Sequence, residues 1–366
     1  KCDLIYARED ISRRYLQDLL GVDIACDNSS NIDEHLCELG CKNFELEFKR
    51  NPLSRSNIIA YRKLKKLLRE NEYDVIHTHT PVASFFARLA SKKFENIKVI
   101  YTAHGFHFFK GASIRNWALY YPIERYLAKY TDAIITMNNE DFKNANKFKL
   151  RRGGKVYKVN GVGVNLSKFS PRSLQRTQTI RNQYGFSVED FILIYVAELS
   201  KRKNQIELIY SIKYLKEYIP SIKLLLVGNG NLFDFYSSKI LELGIEENVK
   251  LLGYRRDIPT LMQMSDIAVS TSKQEGLPVN IMEAMAMGLP LVVTNARGNI
   301  DLVDDGINGF VVNKSEINQL VSKINVLYKS KHLIKKFSEY NVKVVQKYSV
   351  DRVLEEMSSI YDELGL

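Results

Sequence analysis

The chain has 366 residues, 45% of them hydrophobic, with only 19 glycines and 8 prolines, which excludes a fibrous or disordered protein and supplies enough apolar mass for two cores. Its formal charge of +11 favours anionic partners, among them nucleic acid, acidic lipid and phosphorylated metabolites, with simple solubility as the bland alternative. No apolar run reaches the ~18 residues of a membrane span, and no leader-like apolar core opens the chain. A cytosolic protein is therefore expected, with peripheral membrane contact still allowed.

Cys2, Cys26, Cys37 and Cys41 are the four cysteines. A chain this long does not need covalent staples, so free thiols in a reducing compartment are expected. Cys37, Cys41 and nearby His35 lack the second pair that would complete a metal site. Residues Lys1 to Ala7 read as a strand, followed by the charged, glycine-free stretch Arg8 to Arg14. Lys1 is an unusual natural start, which leaves open that further residues precede it.

Next comes a basic helix over Arg62 to Arg69. Tyr73 to His79 reads as a short buried strand ending in a polar tip, with His77 and His79 alternating across its end. That alternation is expected to point them to opposite faces, against a shared metal. A helix follows from Val82 to Lys93, then a strand over Lys98 to Ala103 that ends at His104-Gly105. An aromatic helical segment, Ile114 to Tyr130, leads to a strand over Asp132 to Met137. Phe142 to Lys158 is rich in Lys and Arg and has no acid, and Lys168 to Asn182 is weakly patterned, which puts a domain boundary near residues 165–185.

The second half repeats the alternation of strand and helix. Phe191 to Val196 is one strand, Lys223 to Val227 ends at Gly228-Asn229-Gly230, Val249 to Leu252 precedes Tyr254 to Ile258, and Ile267 to Ser270 precedes Glu275. Pro278 is suited to a first helical position and Gly288 with Pro290 supplies a stop, so a helix is expected from about Pro278 to Met287. Its exposed N–H groups and dipole suit a diphosphate, and the acids Glu275 and Glu283 suit hydroxyls. Leu291 to Thr294 is a further strand, and Val350 to Leu364 is a last helix that either completes the second domain or returns to the first. Apolar strands alternating with helices predict parallel sheets covered on both faces, with ligands beyond the strands' carboxyl ends. Two such domains facing through those tips suggest a two-substrate enzyme closing over a water-sensitive reaction.

Glu275 and Glu283, with seven residues between them and set within Glu-Gly-Leu-Pro and Glu-Ala-Met-Ala-Met-Gly-Leu-Pro, carry a family resemblance, with support from His77-Thr78-His79-Thr80-Pro81, Thr102 to His107, Val227 to Gly230, Leu252 to Ile258 and Asp305 to Gly309. Over nearly its whole length the chain resembles the retaining, nucleotide-sugar-dependent glycosyltransferases of the GT-B fold, which include bacterial capsule and exopolysaccharide transferases. The resemblance implies an α/β protein of two Rossmann-like domains facing across a deep cleft. Residues 1–170 would form the acceptor domain, 171–347 the nucleotide-sugar domain, and 348–366 a C-terminal helix able to cross back.

By the same resemblance, Glu283 holds the ribose diol, Glu275 approaches the donor sugar, and the loop of Gly276, Leu277, Pro278 and Val279 lines sugar or diphosphate. Gly228 and Gly230 belong to the donor side. Lys203 neutralises the departing diphosphate, where growing charge rewards a cation. The family's usual arginine five residues earlier is Glu198 here, which leaves Lys203 alone with the helix N-terminus or Lys201 or Arg202 compensating. His104 is implied beside the donor sugar, His107 is a weaker cleft candidate, and of His77 and His79 one faces the acceptor while the other packs. Arg255 lies in the loop that flanks the base, either near it or outside it.

The implied donor is a UDP-sugar and the implied acceptor a polyprenyl-diphosphate-linked glycan. No cofactor or metal is required, because no Asp-x-Asp triad is recognisable and positive side chains with the helix dipole can do its work. With Glu275 assigned to hydroxyls there is no obvious carboxylate nucleophile, and the alternative that the resemblance implies is front-face substitution. The basic run and the aromatic helix suggest peripheral contact with an anionic membrane at the inner face of the cell membrane. Competing readings are a nucleic-acid or anionic-surface binder, for which no recognisable module is present, a phosphorylase or hydrolase on the same fold, and a non-catalytic sugar-nucleotide sensor.

Overall fold

The computed structural model describes residues 4–6, 43–46, 48–49, 51, 54–151, 153–171 and 174–366. The four cysteines, His35 and the charged stretch Arg8 to Arg14 lie outside them. The chain divides into two compact units, one of Lys1–Thr136, Phe142–Tyr157 and Asp362–Leu366, the other of Met137–Asp141 and Lys158–Tyr361.

In the first unit, β1 (Leu4–Tyr6) pairs in parallel with β2 (Asn43–Glu45). A four-stranded sheet has the order β3 (Val75–Thr78), β4 (Lys98–Ala103), β5 (Ala133–Thr136), β6 (Lys155–Lys158). Helices α1 (Arg55–Glu70), α2 (Pro81–Ser91) and α3 (Ile114–Ala128) belong to this unit. Ala60, Leu64 and Leu68 of α1 recur at helical spacing and pack with Ala87, Ala90 and Ile97. A second core joins Tyr101, Phe106, Phe108, Ile134 and Phe148. Arg88, fully buried over the Tyr101 ring, is neutralised by Glu124 at 2.8 Å. The basic run is partly consumed within the unit, since Arg151 pairs with Asp132 at 3.1 Å and Lys155 with Glu363. Helix α4 (Asn139–Ala145) begins among second-unit residues and ends among first-unit residues.

In the second unit, six strands have the order β12-β11-β10-β7-β8-β9, and every pairing is parallel. These are β7 (Phe191–Val196), β8 (Ile222–Val227), β9 (Val249–Gly253), β10 (Ile267–Ser270), β11 (Leu291–Thr294) and β12 (Gly309–Val312). The near-unbroken apolar composition of these strands follows from burial on both faces. The covering helices are α5 (Leu174–Gln183), α6 (Gln205–Tyr218), α7 (Phe233–Leu243), α8 (Ile258–Gln263), α9 (Val279–Ala286), α10 (Asn299–Leu302), α11 (Ile317–Lys329), α12 (Lys331–Val344) and α13 (Val350–Glu363). Residues of α13 through Tyr361 belong to the second unit, and Asp362 onward to the first.

The stretch expected to lack pattern contains α5. Its sequence is mostly polar, and it is held chiefly by Arg181, buried with Nε donating to the Met264 carbonyl at 2.9 Å and Nη2 pairing with Asp266 at 2.8 Å, beside buried Ile180 and a bond from Gln263 to Thr177. The architecture is that of two Rossmann-like α/β units, a GT-B-like fold. Because β7 begins the second sheet and the chain later returns to its other side with β10, the switch in strand order lies between β7 and β10. Ligands of open parallel sheets bind beyond the carboxyl ends at such a point.

Candidate active site

The loops leaving β7 and β10 are stitched together at that switch point. Asn204, in the left-handed conformation at φ 57°, closes the β7 loop before α6. Its carbonyl accepts the Thr271 hydroxyl at 2.9 Å, the Lys203 carbonyl accepts the Tyr195 hydroxyl at 3.0 Å, and the Arg202 carbonyl accepts the Lys273 N–H at 2.9 Å. With both backbones fixed, Lys203 Nζ meets Glu275 Oε1 at 2.5 Å, and Arg202 Nη1 lies 3.5 Å from Oε2. Lys203 has three donor hydrogens, so pairing with one carboxylate oxygen leaves capacity for a phosphate oxygen.

Glu283 is 3% exposed and Glu275 6%, so neither is the solvated helix or loop acid that a lone carboxylate usually is. Pro278 is the N-cap of α9, extended at ψ 118°, instead of its first helical residue. From Ile281 to Ala286 every side chain of α9 is buried. Retaining an acid in that apolar helix calls for polar partners, since burying an unmatched charge is costly.

Sequence reasoning missed Arg297. Its guanidinium is buried, with Nε donating to the Glu275 carbonyl at 2.9 Å and Nη1 pairing with Asp141 at 2.7 Å. The next residue, Gly298, has φ +81°, and a Cβ there would fall 2.3 Å from the Gly276 carbonyl oxygen. Arg297-Gly298 therefore holds the backbone of the acid-bearing loop from below. The usable signal was a lone arginine and glycine just after an apolar strand.

Gly228 and Gly230 have a packing reason of their own, because a Cβ at either would lie 2.2 Å from the carbonyl oxygen of Ala197 or Leu199. Close approach of the β8 tip to the β7 tip requires their bare backbone. Arg255 is engaged locally, donating through Nε and Nη2 to Asp257 at 2.8 and 2.6 Å, and Tyr184 donates to the same carboxylate. The Arg255 contacts hold the Asp257 carboxyl below the usual carboxylate range. Glu198, which stands where the resemblance implies an arginine, is exposed.

In the first unit the structure corrects the expectation for His77 and His79. Their rings stack with centroids 4.3 Å apart, because side chains two apart on a strand share a face. His79 Nδ1 lies 3.3 Å from His104 Nε2, and His77 Nε2 lies 2.7 Å from Thr102 Oγ1. Burial lowers His77 and His104 to about 4 and His79 well below its ordinary value, so the three rings are neutral at pH 7. His107 stacks on Tyr120 at 4.6 Å. Among the described residues no group of His, Cys, Asp or Glu is arranged to hold a metal ion.

The chain is 40% identical over 320 residues to EpsD of Bacillus subtilis, a glycosyltransferase by name, covering 87% of this chain and 84% of that protein. The family model for glycosyl transferases group 1 matches residues 176–344, and the glycosyl transferase 4-like model matches 11–138. The chain belongs to the glycosyltransferases. This glycosyltransferase is also 28% identical over 306 residues to the UDP-Gal:alpha-D-GlcNAc-diphosphoundecaprenol alpha-1,3-galactosyltransferase of Escherichia coli, covering 82% of this chain and 78% of that one. The crystal structure of HepE from Anabaena in complex with UDP-glucose has the same fold, with a TM-score of 0.77 at 21% identity and 98% coverage of both chains. The matched group 1 segment contains both acids, Lys203 and Arg297, that is, the whole constellation at the switch point of the second sheet.

Proposed function

We propose that this glycosyltransferase moves a hexosyl or N-acetylhexosaminyl group from a UDP-sugar to a lipid-linked glycan in polysaccharide synthesis, with retention of anomeric configuration. The observation that carries the reading is the buried Glu275 paired with Lys203 at the β7/β10 switch point, with buried Glu283 on the helix that follows. In this reading the second unit binds the donor. Glu283 takes the ribose diol, Lys203 meets the charge that grows on the β-phosphate, and Glu275 takes sugar hydroxyls. Arg202 is the cation that stands in for the arginine replaced by Glu198, since it reaches Glu275. Gly276, Leu277 and Val279 line the diphosphate and sugar, and His104 of the first unit takes part in transfer. The leaving phosphate accepts the acceptor's proton as the new bond forms, so no carboxylate nucleophile is needed. Support for the donor comes from relatives whose names specify a UDP-sugar or whose structures hold one. Calorimetry with UDP, GDP and ADP, with and without magnesium, tests it. The expected outcome is metal-independent preference for UDP, and a folded protein that binds none of the three sinks the proposal.

The acceptor reading brings the protein to the inner face of the cell membrane as a peripheral protein. No helix among the described residues is long and apolar enough to cross a membrane. Helix α3 supplies a surface suited to lying on one: Ile114 is 86% exposed, Leu119 54% and Tyr126 44%, beside exposed Arg115, Arg125 and Lys129. The helix's one acid, Glu124, is turned inward onto Arg88. Apolar side chains interleaved with cations match an anionic bilayer. Flotation with vesicles containing anionic phosphatidylglycerol should carry the protein up, and Ile114→Ser/Leu119→Ser/Arg125→Ser should stay at the bottom with unchanged UDP affinity. Equal flotation of both proteins removes α3 as the contact.

A further inference from the structure

Two hydrogen bonds in the first unit repeat one step. His77 pairs with Thr102, and His79 with His104, and in each pair the partners are 25 residues apart. The origin is the parallel register of β3 on β4, which sets His77 against Ile100. His77 and His79, the latter one residue past the end of β3, share a face, as do Thr102 and His104, the latter one residue past the end of β4, so His-x-His meets Thr-x-His as a two-rung ladder. Stacking of His77 on His79, with centroids 4.3 Å apart, ties the rungs together, and within the second rung the His79 and His104 rings are tilted with centroids 5.5 Å apart.

We propose that His79 is a positioning residue that fixes the tautomer and ring orientation of His104, with His77 and Thr102 holding His79 in place. The inference rests on the proposed part of His104 in transfer. A neutral imidazole has one donor and one acceptor nitrogen. A bond between His79 Nδ1 and His104 Nε2 needs one of these nitrogens protonated and the other bare, so the tautomer of His104 is tied to that of His79. Whichever ring donates, the other nitrogen of His104 then has a fixed character, donor or acceptor, toward any ligand group it meets. An imidazole without such a partner divides between two tautomers and presents the wrong one part of the time. The lower rung serves the same end, since Thr102 anchors His77 and the stack sets the plane of His79.

The test uses the full chain with histidine labelled in its ring nitrogens. In the wild type, His104, assigned by comparison with His104→Gln, should show the nitrogen shifts of a single tautomer. His79→Phe keeps a ring for stacking and removes the hydrogen bond. It should give averaged His104 shifts and lower kcat about tenfold, the scale of one lost hydrogen bond, with UDP affinity and donor KM unchanged. His79→Asn, whose amide can occupy the Nδ1 position, should recover most of kcat and the single-tautomer shifts. Unchanged His104 shifts and kcat in His79→Phe overturn the proposal, as does His79→Asn being as slow as His79→Phe. Should His104→Ala transfer normally, the role of His104 in transfer falls, while the nitrogen shifts still report whether His79 sets its tautomer.

Discussion

Lys203→Met is expected to lower kcat by about 100- to 1000-fold, the cost of removing a group that stabilises charge growing in the transition state. It will also perturb the fold, because Lys203 pairs with a buried carboxylate and both side chains are largely out of solvent, 12% and 7% exposed. Leaving Glu275 without that partner should cost about 3–5 kcal/mol, the penalty for breaking a buried pair, moderated by Arg202 nearby. Two effects in one variant need separating. Lys203→Met/Glu275→Gln removes the orphaned charge and should recover thermal stability without recovering turnover. Single-turnover rates and melting temperatures of the three proteins decide the matter. Near-normal turnover of the folded double variant would make the pair structural and return the leaving-group role to another cation.

Glu283→Ala should weaken UDP binding by about 100-fold. Two ribose hydroxyls donating to one carboxylate contribute about 1.5 kcal/mol each at the low end for charged acceptors, and about 1.4 kcal/mol is tenfold in affinity. The helix should survive, since alanine has the highest helix propensity and the flanking side chains of α9 are already buried. Glu283→Gln keeps one acceptor oxygen and should fall between the two. The decisive control is 2′,3′-dideoxy-UDP, which lacks the diol. It should bind wild type and Glu283→Ala with equal weakness, and a further loss in the variant would show that Glu283 acts elsewhere.

Much of the second unit was legible because buried parallel strands are written as continuous apolar runs. Phe191–Val196, Ile267–Ser270 and Leu291–Thr294 occupy the spans that their sequence predicts. The acids were legible for a different reason, their spacing within the Glu-Gly-Leu-Pro and Glu-Ala-Met-Ala-Met-Gly-Leu-Pro motifs; the structure adds that Glu283 is buried in the apolar α9. Helix α5 was hidden because its sequence is mostly polar and its hold on the unit comes chiefly from Arg181 reaching carbonyls of other segments, with Thr177 bonded to Gln263 and Ile180 buried, which no periodicity reports. Arg297 was hidden likewise, since its partners Asp141 and Glu275 are remote in sequence. The histidine ladder was misread through a slip in strand geometry: neighbours alternate, but residues two apart coincide. Its second rung needed the β3–β4 register, which only the folded chain supplies.

The crowding of Gly298 against the Gly276 carbonyl has a bearing on how this enzyme can be redesigned. With 2.3 Å between that oxygen and any Cβ at Gly298, a library that varies this position yields mostly distorted loops. The backbone around Glu275 is closely held, and on the proposed role of this loop in donor binding, selectivity for a different sugar would come from side chains that project from it. Gln274 and Val279, both only partly buried, are two positions beside the buried Glu275, Leu277 and Pro278 where packing leaves room for exchange. Donor preference in such a scaffold can drift by swapping side chains at constant loop shape, with insertions and deletions excluded from the segment.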